Sequence, residues 1–214
     1  MKQEKTRLYL IRHGETEWNR GGRYQGWTDI ELSDEGKLQA ELLAKRFHYM
    51  HLDAIYVSPL KRAIATAEPI ATEKGLPLIL DEHFKEINFG EWEGHTVPEL
   101  TEKYGKPYTD FFDNPFEHTM PGEGSFHKVA ERAMAGFEEI IKKHRGERIA
   151  IVSHGGLLRV FMIKLLGLDL NMYRRMWLTN TSISMIDITL DDNKFLMTLN
   201  DKAHLEMAEL LKNG

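Results

Sequence analysis

The sequence of 214 residues contains no cysteine. Disulfide bonds, thiolate metal sites and a cysteine nucleophile are therefore excluded, and we expect a cytoplasmic protein, since a reducing compartment suits such a chain. A basic excess is also missing. The 28 Lys+Arg stand against 33 Asp+Glu, and the net charge of −5 argues against a nucleic-acid partner. No apolar run approaches the roughly 18 residues of a membrane span, so we expect no membrane partner.

What the sequence does contain is an alternation of short apolar runs and amphipathic segments. Leu8–Ile11, Ala54–Val57 and Arg148–Ser153 are predicted to be buried strands, and segments with apolar residues at helical spacing lie between and after them. This alternation is typical of α/β proteins. We expect a three-layer sandwich, in which a mostly parallel central sheet carries helices on both faces.

The organisation of the chain is otherwise simple. No repeat, low-complexity tract or linker divides it, so residues 1–214 are interpreted as a single domain, with 81–125 as an inserted lid segment over the ligand site. A helix is predicted from about Leu60 towards Lys74, and Pro69 within it predicts a kink or an early end. A hairpin is predicted to precede the last helix.

Two His-Gly pairs stand directly after predicted central strands. His13 follows the first strand, and His154, before Gly155, follows a later one. Ligands of such sheets bind at the carboxyl ends of the strands, so both imidazoles should converge on one crevice. Arg12, beside His13, and Arg62, soon after another strand end, supply forked donors that suit a phosphoryl group. The alternative is two unrelated surface histidines with chance arginines nearby.

Five motifs in a fixed order extend this observation. They are LIRHGETEWN from Leu10, YQGWTD from Tyr24 with LSDEG from Leu32, SPLKRAIATA from Ser58, EINFGEWEG from Glu86 and VSHGG from Val152. Together they span residues 7 to about 190 and resemble the histidine phosphatase superfamily, the phosphoglycerate-mutase-like proteins, in particular its broad-specificity phosphatase branch. PGEGS from Pro121 departs from that pattern, because the family commonly reads Gly-Gly-Glu-Ser there.

The resemblance implies a role for each motif residue. His13 would attack phosphorus and carry the phosphoryl group as a phosphohistidine. Glu86 would protonate the leaving oxygen and then take a proton from water. The equatorial oxygens would be held by Arg12, Arg62 and a protonated His154. The phosphate pocket would be completed by Asn19, Gln25, Gly26 and Gly155. The resemblance implies no metal and no cofactor.

Hydrolysis and phosphoryl exchange both use such a site, and segment 81–125 is expected to distinguish them. It holds eight aromatic residues, eleven acids and three lysines, which is a formal charge of −8. An acidic, aromatic lid would favour apolar leaving groups and penalise a second phosphate. We therefore predict a metal-independent phosphatase of the histidine acid type that acts on small phosphorylated metabolites.

Two alternatives stay open. A cofactor-dependent phosphoglycerate mutase, which isomerises its substrate by phosphoryl transfer, would use the same residues. An inactive phosphate-binding module would keep the fold without the reaction. Arg174 and Arg175 are interpreted as a solvated charge pair rather than a phosphate clamp. The sequence assigns no oligomeric state.

Overall fold

Within residues 5–213, the part of the chain that this computed structural model describes, six strands form one sheet. In chain order they are β1 (Lys5–Arg12), β2 (Ala54–Val57), β3 (Leu78–Leu80), β4 (Arg148–Ser153), β5 (Ile183–Thr189) and β6 (Lys194–Asp201). Their order across the sheet is β3-β2-β4-β1-β5-β6. The first four strands in chain order run parallel, and β5 and β6 form an antiparallel hairpin at one edge. The predicted mostly parallel sheet is confirmed.

Helices cover this sheet and connect its strands. They are α1 (Glu17–Arg20), α2 (Asp34–Phe47), α3 (Lys61–Lys74), α4 (Val97–Tyr104), α5 (Lys106–Asp113), α6 (Phe126–Lys143), α7 (Gly155–Leu166) and α8 (Ala203–Asn213). Short 3₁₀ helices lie at Glu82–Phe84, Gly90–Trp92 and Leu170–Arg174. Among the described residues, no helix has the length and apolar character that crossing a bilayer requires.

The central strands are apolar on both faces, because each face carries a hydrophobic core. In β1, Leu8 and Leu10 belong to the core that α6 and α7 close, whereas Tyr9 and Ile11 belong to the core under α2 and α3. Neighbouring β4 alternates between the same two cores. Side chains of a strand point to opposite faces in turn, so this pattern places one core on each side of the sheet. The predicted three-layer sandwich is confirmed.

Helix α3 does not end at its internal proline. It continues through Pro69 to Lys74, where Gly75 takes a φ of +62° and terminates it. Ala67 and Ile70, on either side of the proline, are completely buried in the core under α2 and α3, so tertiary packing holds both halves. The predicted early end is therefore wrong. The predicted hairpin is confirmed as β5 and β6.

Residues 81–125 are anchored to the fold by a cluster of aromatic rings. Trp92 meets Tyr108 at 5.1 Å and Phe111 at 5.0 Å between ring centroids, and Phe111 meets Phe126 of α6 at 5.5 Å. Such edge-to-face pairs stabilise beyond the area that they bury. The rings join the core under α6 and α7, so this segment is packed against the body of the fold. The single-domain interpretation stays a prediction.

Candidate active site

A cavity of about 480 Å³ lies at the carboxyl ends of β1 and β4. These neighbouring strands run parallel with Arg12 in register with Ser153, so the residues that follow them emerge side by side. His13 and His154 are those residues, and their ring centroids are 5.1 Å apart. The two imidazoles converge as predicted, because two adjacent parallel strands in this register end side by side at the same edge of the sheet.

His13 is buried, and the backbone holds its ring in one tautomer. Its Nδ1 lies 2.6 Å from the carbonyl oxygen of Gly14, which can only accept, so Nδ1 carries the proton and donates it. The lone pair of Nε2 is then free. Burial, followed by the positive charges of Arg62 and Arg12, lowers the pKa of His13 well below its usual value. The imidazole is therefore neutral and able to act as a nucleophile at neutral pH.

Two guanidinium groups, that of the buried Arg62 and that of the half-buried Arg12, lie near this imidazole. Arg62 donates from Nη1 to the carbonyl of Thr28 at 2.9 Å and from Nη2 to that of Gly26 at 2.7 Å. Arg12 donates from Nη1 to the carbonyl of Leu178 at 2.6 Å. Burial lowers the pKa of each arginine to about 10, which leaves both charged at neutral pH. Their Nε atoms are buried without a hydrogen-bond partner among the described residues.

The loop that presents carbonyls to Arg62 requires a glycine. Gly26 takes a φ of +53°, and a Cβ atom there would lie 2.0 Å from Oε1 of Glu93. Glu93 in turn accepts hydrogen bonds from the backbone N–H groups of Trp27 at 2.9 Å and Thr28 at 2.8 Å. A carboxylate of segment 81–125 therefore fixes the loop at 25–28, and with it the position of Arg62.

His154 is completely buried, and Ser58 fixes its ring. The distance between Nε2 of His154 and Oγ of Ser58 is 2.7 Å. Burial, followed by the positive charge of Arg62, lowers the pKa of His154 well below its usual value. The expected protonated form is wrong for the free site, because desolvation and adjacent cations disfavour a further positive charge. Nδ1 of His154 is buried without a partner among the described residues.

Glu86 projects its carboxyl group onto the N-terminus of α7. The oxygens accept hydrogen bonds from the backbone N–H groups of Leu157 at 2.8 Å, Ile87 at 3.0 Å and Gly156 at 3.2 Å. A Cβ atom on Gly156 would lie 2.8 Å from Oε1 of Glu86, so glycine is needed for this approach. From the other side, Nε1 of Trp27 donates to the backbone carbonyl of Glu86 at 2.7 Å. The acid is held at both its side chain and its backbone.

The structure brings the predicted site residues together. Those that line the cavity are Arg12, His13, Asn19, Gln25, Gly26, Glu86 and Gly155. Arg62 and His154 lie behind its wall and are completely buried. Within residues 5–213, no three His, Asp or Glu side chains are grouped as a protein-bound metal would require. The arrangement offers a neutral nucleophile, several fixed donors for an anion and one carboxyl group.

Residues 8–202 match the family model of the histidine phosphatase superfamily (branch 1). The chain belongs to this superfamily. This histidine phosphatase is 38% identical to phosphoserine phosphatase 1 of Hydrogenobacter thermophilus, over 93% of this chain and 94% of that protein. It is 34% identical to the metal-independent phosphoserine phosphatase of Arabidopsis thaliana, over 100% of this chain and 89% of that protein. The predicted family and the predicted phosphatase class are confirmed.

A solved structure agrees with these relatives. Phosphoserine phosphatase of Entamoeba histolytica, crystallised in complex with 3-phosphoglyceric acid, matches the histidine phosphatase with a TM-score of 0.84 and 36% sequence identity. The match covers 94% of this chain and 99% of that one. The fold of the predicted class is therefore shared over nearly the whole length of both proteins.

The expected acidic lid is wrong for this histidine phosphatase. Of the eleven acids in 81–125, all of which the structure describes, Glu86 alone lines the cavity. Glu91 is exposed, and Glu93 is turned towards the loop at 25–28. The arginines that line the cavity are Arg12, Arg23, Arg159 and Arg174. The formal charge of a segment takes no account of where its side chains lie. Here ten of the eleven acids do not line the cavity. The aromatic part of the expectation holds, since Phe89, Phe111 and Phe112 line the cavity.

Several functional contacts were missed by the sequence analysis. Arg132 of α6 donates to the backbone carbonyls of His83 at 2.7 Å, Lys85 at 2.9 Å and Glu86 at 3.2 Å. Glu123 of the PGEGS loop binds the same guanidinium at 2.7 and 3.0 Å. The one motif that departs from the family pattern thus supports the segment that carries Glu86. No spacing in the sequence relates α6 to that segment.

Two more residues were missed at the strand ends. Nδ2 of Asn180 donates to the carbonyl of His13 at 2.9 Å and to Oδ1 of Asn19 at 3.2 Å. Ser58 belongs to the motif SPLKRAIATA, and the sequence analysis assigned it no role in the site. Arg174 is exposed, as expected, yet it lines the cavity and pairs with Asp113 at 3.1 Å. A signal existed for Ser58, since it directly follows a buried strand.

Proposed function

We propose that this histidine phosphatase hydrolyses monophosphate esters of small metabolites through a phosphohistidine on His13. The arrangement around that imidazole carries the proposal: the ring is neutral, its Nδ1 is held by Gly14 and its Nε2 is free. Three buried polar atoms, Nε of Arg12, Nε of Arg62 and Nδ1 of His154, have no partner among the described residues, and in this proposal they bind the equatorial oxygens of the phosphoryl group. Preorganised donors of this kind stabilise the transition state.

The proposed reaction has two displacements. In the first, Nε2 of His13 bonds to phosphorus while the bond to the ester oxygen breaks, and that oxygen takes the proton of the Glu86 carboxyl group. In the second, a water oxygen bonds to phosphorus, its proton passes to the Glu86 carboxylate, and the phosphorus–nitrogen bond breaks. Inorganic phosphate leaves, and both residues return to their starting states.

The proposed substrates are small and carry one phosphoryl group. The relatives described above are phosphoserine phosphatases, and one of them was crystallised with 3-phosphoglyceric acid. O-Phosphoserine and 3-phosphoglycerate are therefore the first substrates to test. A cavity of about 480 Å³ with aromatic walls suits a leaving group of this size.

The finer class that we propose is the histidine acid type. Because the pKa of His13 lies well below its usual value, the nucleophile stays neutral at pH values where an ordinary imidazole is protonated. We expect hydrolysis of p-nitrophenyl phosphate to continue as the pH falls below 6.5. An activity that disappears at pH 6.5 with p-nitrophenyl phosphate at saturation would contradict this class.

The decisive experiment traps the intermediate. Brief incubation with ³²P-labelled O-phosphoserine and a rapid alkaline quench should leave an acid-labile label on His13. The His13→Ala variant should lose the label and at least about 10³-fold in kcat, because no other imidazole of the described residues lines the cavity. The exposed His51→Ala is the matched control and should keep both label and turnover. Near-normal turnover in His13→Ala would overturn the proposal.

One observation favours the mutase alternative. Glu86 is the one acid of segment 81–125 that lines the cavity, so the repulsion of a second phosphate expected from that segment falls away. The test is incubation of 3-phosphoglycerate with and without 2,3-bisphosphoglycerate, with 2-phosphoglycerate and inorganic phosphate measured together. A phosphatase releases phosphate without priming. Efficient, primed formation of 2-phosphoglycerate would make the mutase the better assignment.

A further inference from the structure

The arginines that line the cavity differ in how their charges are compensated. Arg23 pairs with Glu99 at 2.9 Å, and Arg174 pairs with Asp113 at 3.1 Å. Arg12 belongs to the proposed phosphoryl site. Arg159 lines the cavity as well, and no carboxylate among the described side chains forms an ion pair with it. It is thus a cation in the cavity whose charge the proposed phosphoryl chemistry does not use.

Arg159 is held in place by neutral groups. Its Nε donates to the carbonyl of Gly155 at 3.1 Å, and its Nη1 donates to the carbonyl of Tyr173 at 3.2 Å. Nη2 donates to the hydroxyl of Tyr173 at 2.9 Å, and the guanidinium carbon lies 4.0 Å over the ring. A guanidinium has five N–H groups, so two remain for a ligand. The group is rigid before any ligand binds, which reduces the entropy cost of binding.

The position of Arg159 relates it to the phosphoryl site through one residue. Gly155 accepts the hydrogen bond from Nε of Arg159, and a Cβ atom on Gly155 would lie 3.2 Å from Nε of Arg12. Both guanidinium groups therefore lie beside this glycine, and both arginines line the same cavity.

We propose that Arg159 binds a carboxylate of the leaving group. The histidine phosphatase then selects phosphomonoesters that carry a carboxylate a few bonds from the ester oxygen. The inference rests on the proposed function and names its substrate class. A carboxylate brings one negative charge and two oxygens in a plane, which match one uncompensated cation with two free N–H groups. A second phosphate would need more positive charge, and Arg23 and Arg174 are already paired.

The cavity has fewer groups that could bind an amine of the substrate than groups that could bind its carboxylate. Among the described residues that line it, Glu86 is the one acid, and its oxygens already accept hydrogen bonds from the backbone at the start of α7. An ammonium group on the substrate therefore finds no carboxylate of its own. Selection should depend on the carboxylate of the substrate and hardly on its amine.

The unmodified protein provides the first test. O-Phosphoserine carries both groups, the phosphate ester of 3-hydroxypropionate carries the carboxylate alone, and O-phosphoethanolamine carries the amine alone. We expect kcat/KM for the first two to agree within about fivefold, and that for O-phosphoethanolamine to be at least about 30-fold lower. Equal values for O-phosphoserine and O-phosphoethanolamine would overturn the inference.

Variants then assign the selectivity to one side chain. In Arg159→Gln, the ratio of kcat/KM for O-phosphoserine to that for p-nitrophenyl phosphate should fall at least about 30-fold, because a charge-assisted pair is lost. Arg159→Lys, which keeps the charge without the fork, should give a smaller fall. Lys164→Gln, an exposed position on the same helix that does not line this cavity, is the matched control and should change the ratio by less than about threefold.

Other outcomes contradict the inference in distinct ways. An equal loss on both substrates in Arg159→Gln, with weakened inhibition by vanadate, would make Arg159 a support of the site rather than a ligand. A larger loss on 2,3-bisphosphoglycerate than on O-phosphoserine would make the partner a phosphate. If the unmodified protein hydrolyses none of these esters, the proposed function fails. Calorimetry of O-phosphoserine and O-phosphoethanolamine binding to the same variants then still decides on Arg159.

Discussion

The phosphoryl end of the cavity and its leaving-group end differ in how their polar groups are held. At the phosphoryl end, His13, Arg62 and His154 are buried, and each is oriented by a carbonyl or hydroxyl of a neighbouring loop. At the leaving-group end, aromatic rings dominate, and Arg23 and Arg174 are paired with carboxylates from distant segments. In the proposed function, the groups of the first end carry out the reaction, and those of the second end select the substrate.

In the proposed function, this difference separates chemistry from selectivity. His13 and His154, which the proposed reaction uses, directly follow β1 and β4, so the sheet fixes where they lie. The selecting groups lie on segment 81–125, on α7 and on the stretch around 173–178. Changes at the first end should therefore affect every substrate, whereas changes at the second should affect some substrates more than others.

The largest effect is expected at the acid. Glu86→Gln should lower kcat on O-phosphoserine by about 10²- to 10⁴-fold, because the alkoxide of serine cannot leave without a proton. The loss on p-nitrophenyl phosphate should be much smaller, since its leaving group departs as a stable anion. Steady-state kinetics on both esters measures the difference. Equal losses would show that Glu86 acts in binding or folding and not as the acid.

A smaller effect of the same kind is expected at Arg132, which holds the segment that carries Glu86. Arg132→Gln removes the bonds to three carbonyls around Glu86 and should lower kcat on O-phosphoserine by about 10-fold. KM and the rate on p-nitrophenyl phosphate should change little if Arg132 is a positioning residue for the acid. Lys128→Gln, an exposed position on the same helix, is the control. A rise in KM alone would contradict the positioning role.

The buried histidines predict a dependence of stability on pH. The folded protein keeps His13 and His154 neutral below the usual pKa, whereas the unfolded chain protonates them near pH 6.5. The unfolded state then binds more protons, so the free energy of unfolding should fall as the pH drops below 6.5, by at most about 1.4 kcal/mol per pH unit for each group.

The measurement is urea unfolding at pH 7.5 and 5.5, at constant ionic strength and without phosphate. NMR of the imidazole carbons over the same range should show both rings neutral to well below pH 6.5. His204, whose pKa burial lowers to about 4, adds to the same trend, and a His204→Asn variant separates its share. A protein equally stable at both pH values would contradict the neutral forms.

The smallest effect is expected from the acids of segment 81–125. Glu91 is exposed and does not line the cavity, so Glu91→Gln should change kcat/KM for mono- and bisphosphorylated substrates by less than about twofold. The two kinds of substrate are compared at low salt, where any long-range field is largest. If Glu91→Gln raised kcat/KM for bisphosphorylated substrates alone, the negative charge of segment 81–125 would disfavour a second phosphate as the sequence analysis expected.

The sequence determined the phosphoryl end of the site almost completely. Apolar runs at Leu8–Ile11 and Arg148–Ser153 predict parallel neighbours, and the residues that follow such strands must meet at one edge of the sheet. His13, His154, Arg12 and Gly155 are therefore placed by local patterns plus one rule of sheet geometry. Glu86 and the loop at 25–28 were found through motifs, because their contacts with the site cross long stretches of chain.

The direction of side chains was decided by the tertiary structure alone. Glu93 and Glu123 count as negative charges of one segment, yet one holds the loop at 25–28 and the other holds Arg132. The neutral state of His154 likewise follows from its burial among cations, which no local pattern encodes. The uncompensated charge of Arg159 depends on which acids are already paired elsewhere in the cavity. Pairing and burial arise between residues far apart in the chain, so only the folded protein defines the charge that a substrate meets.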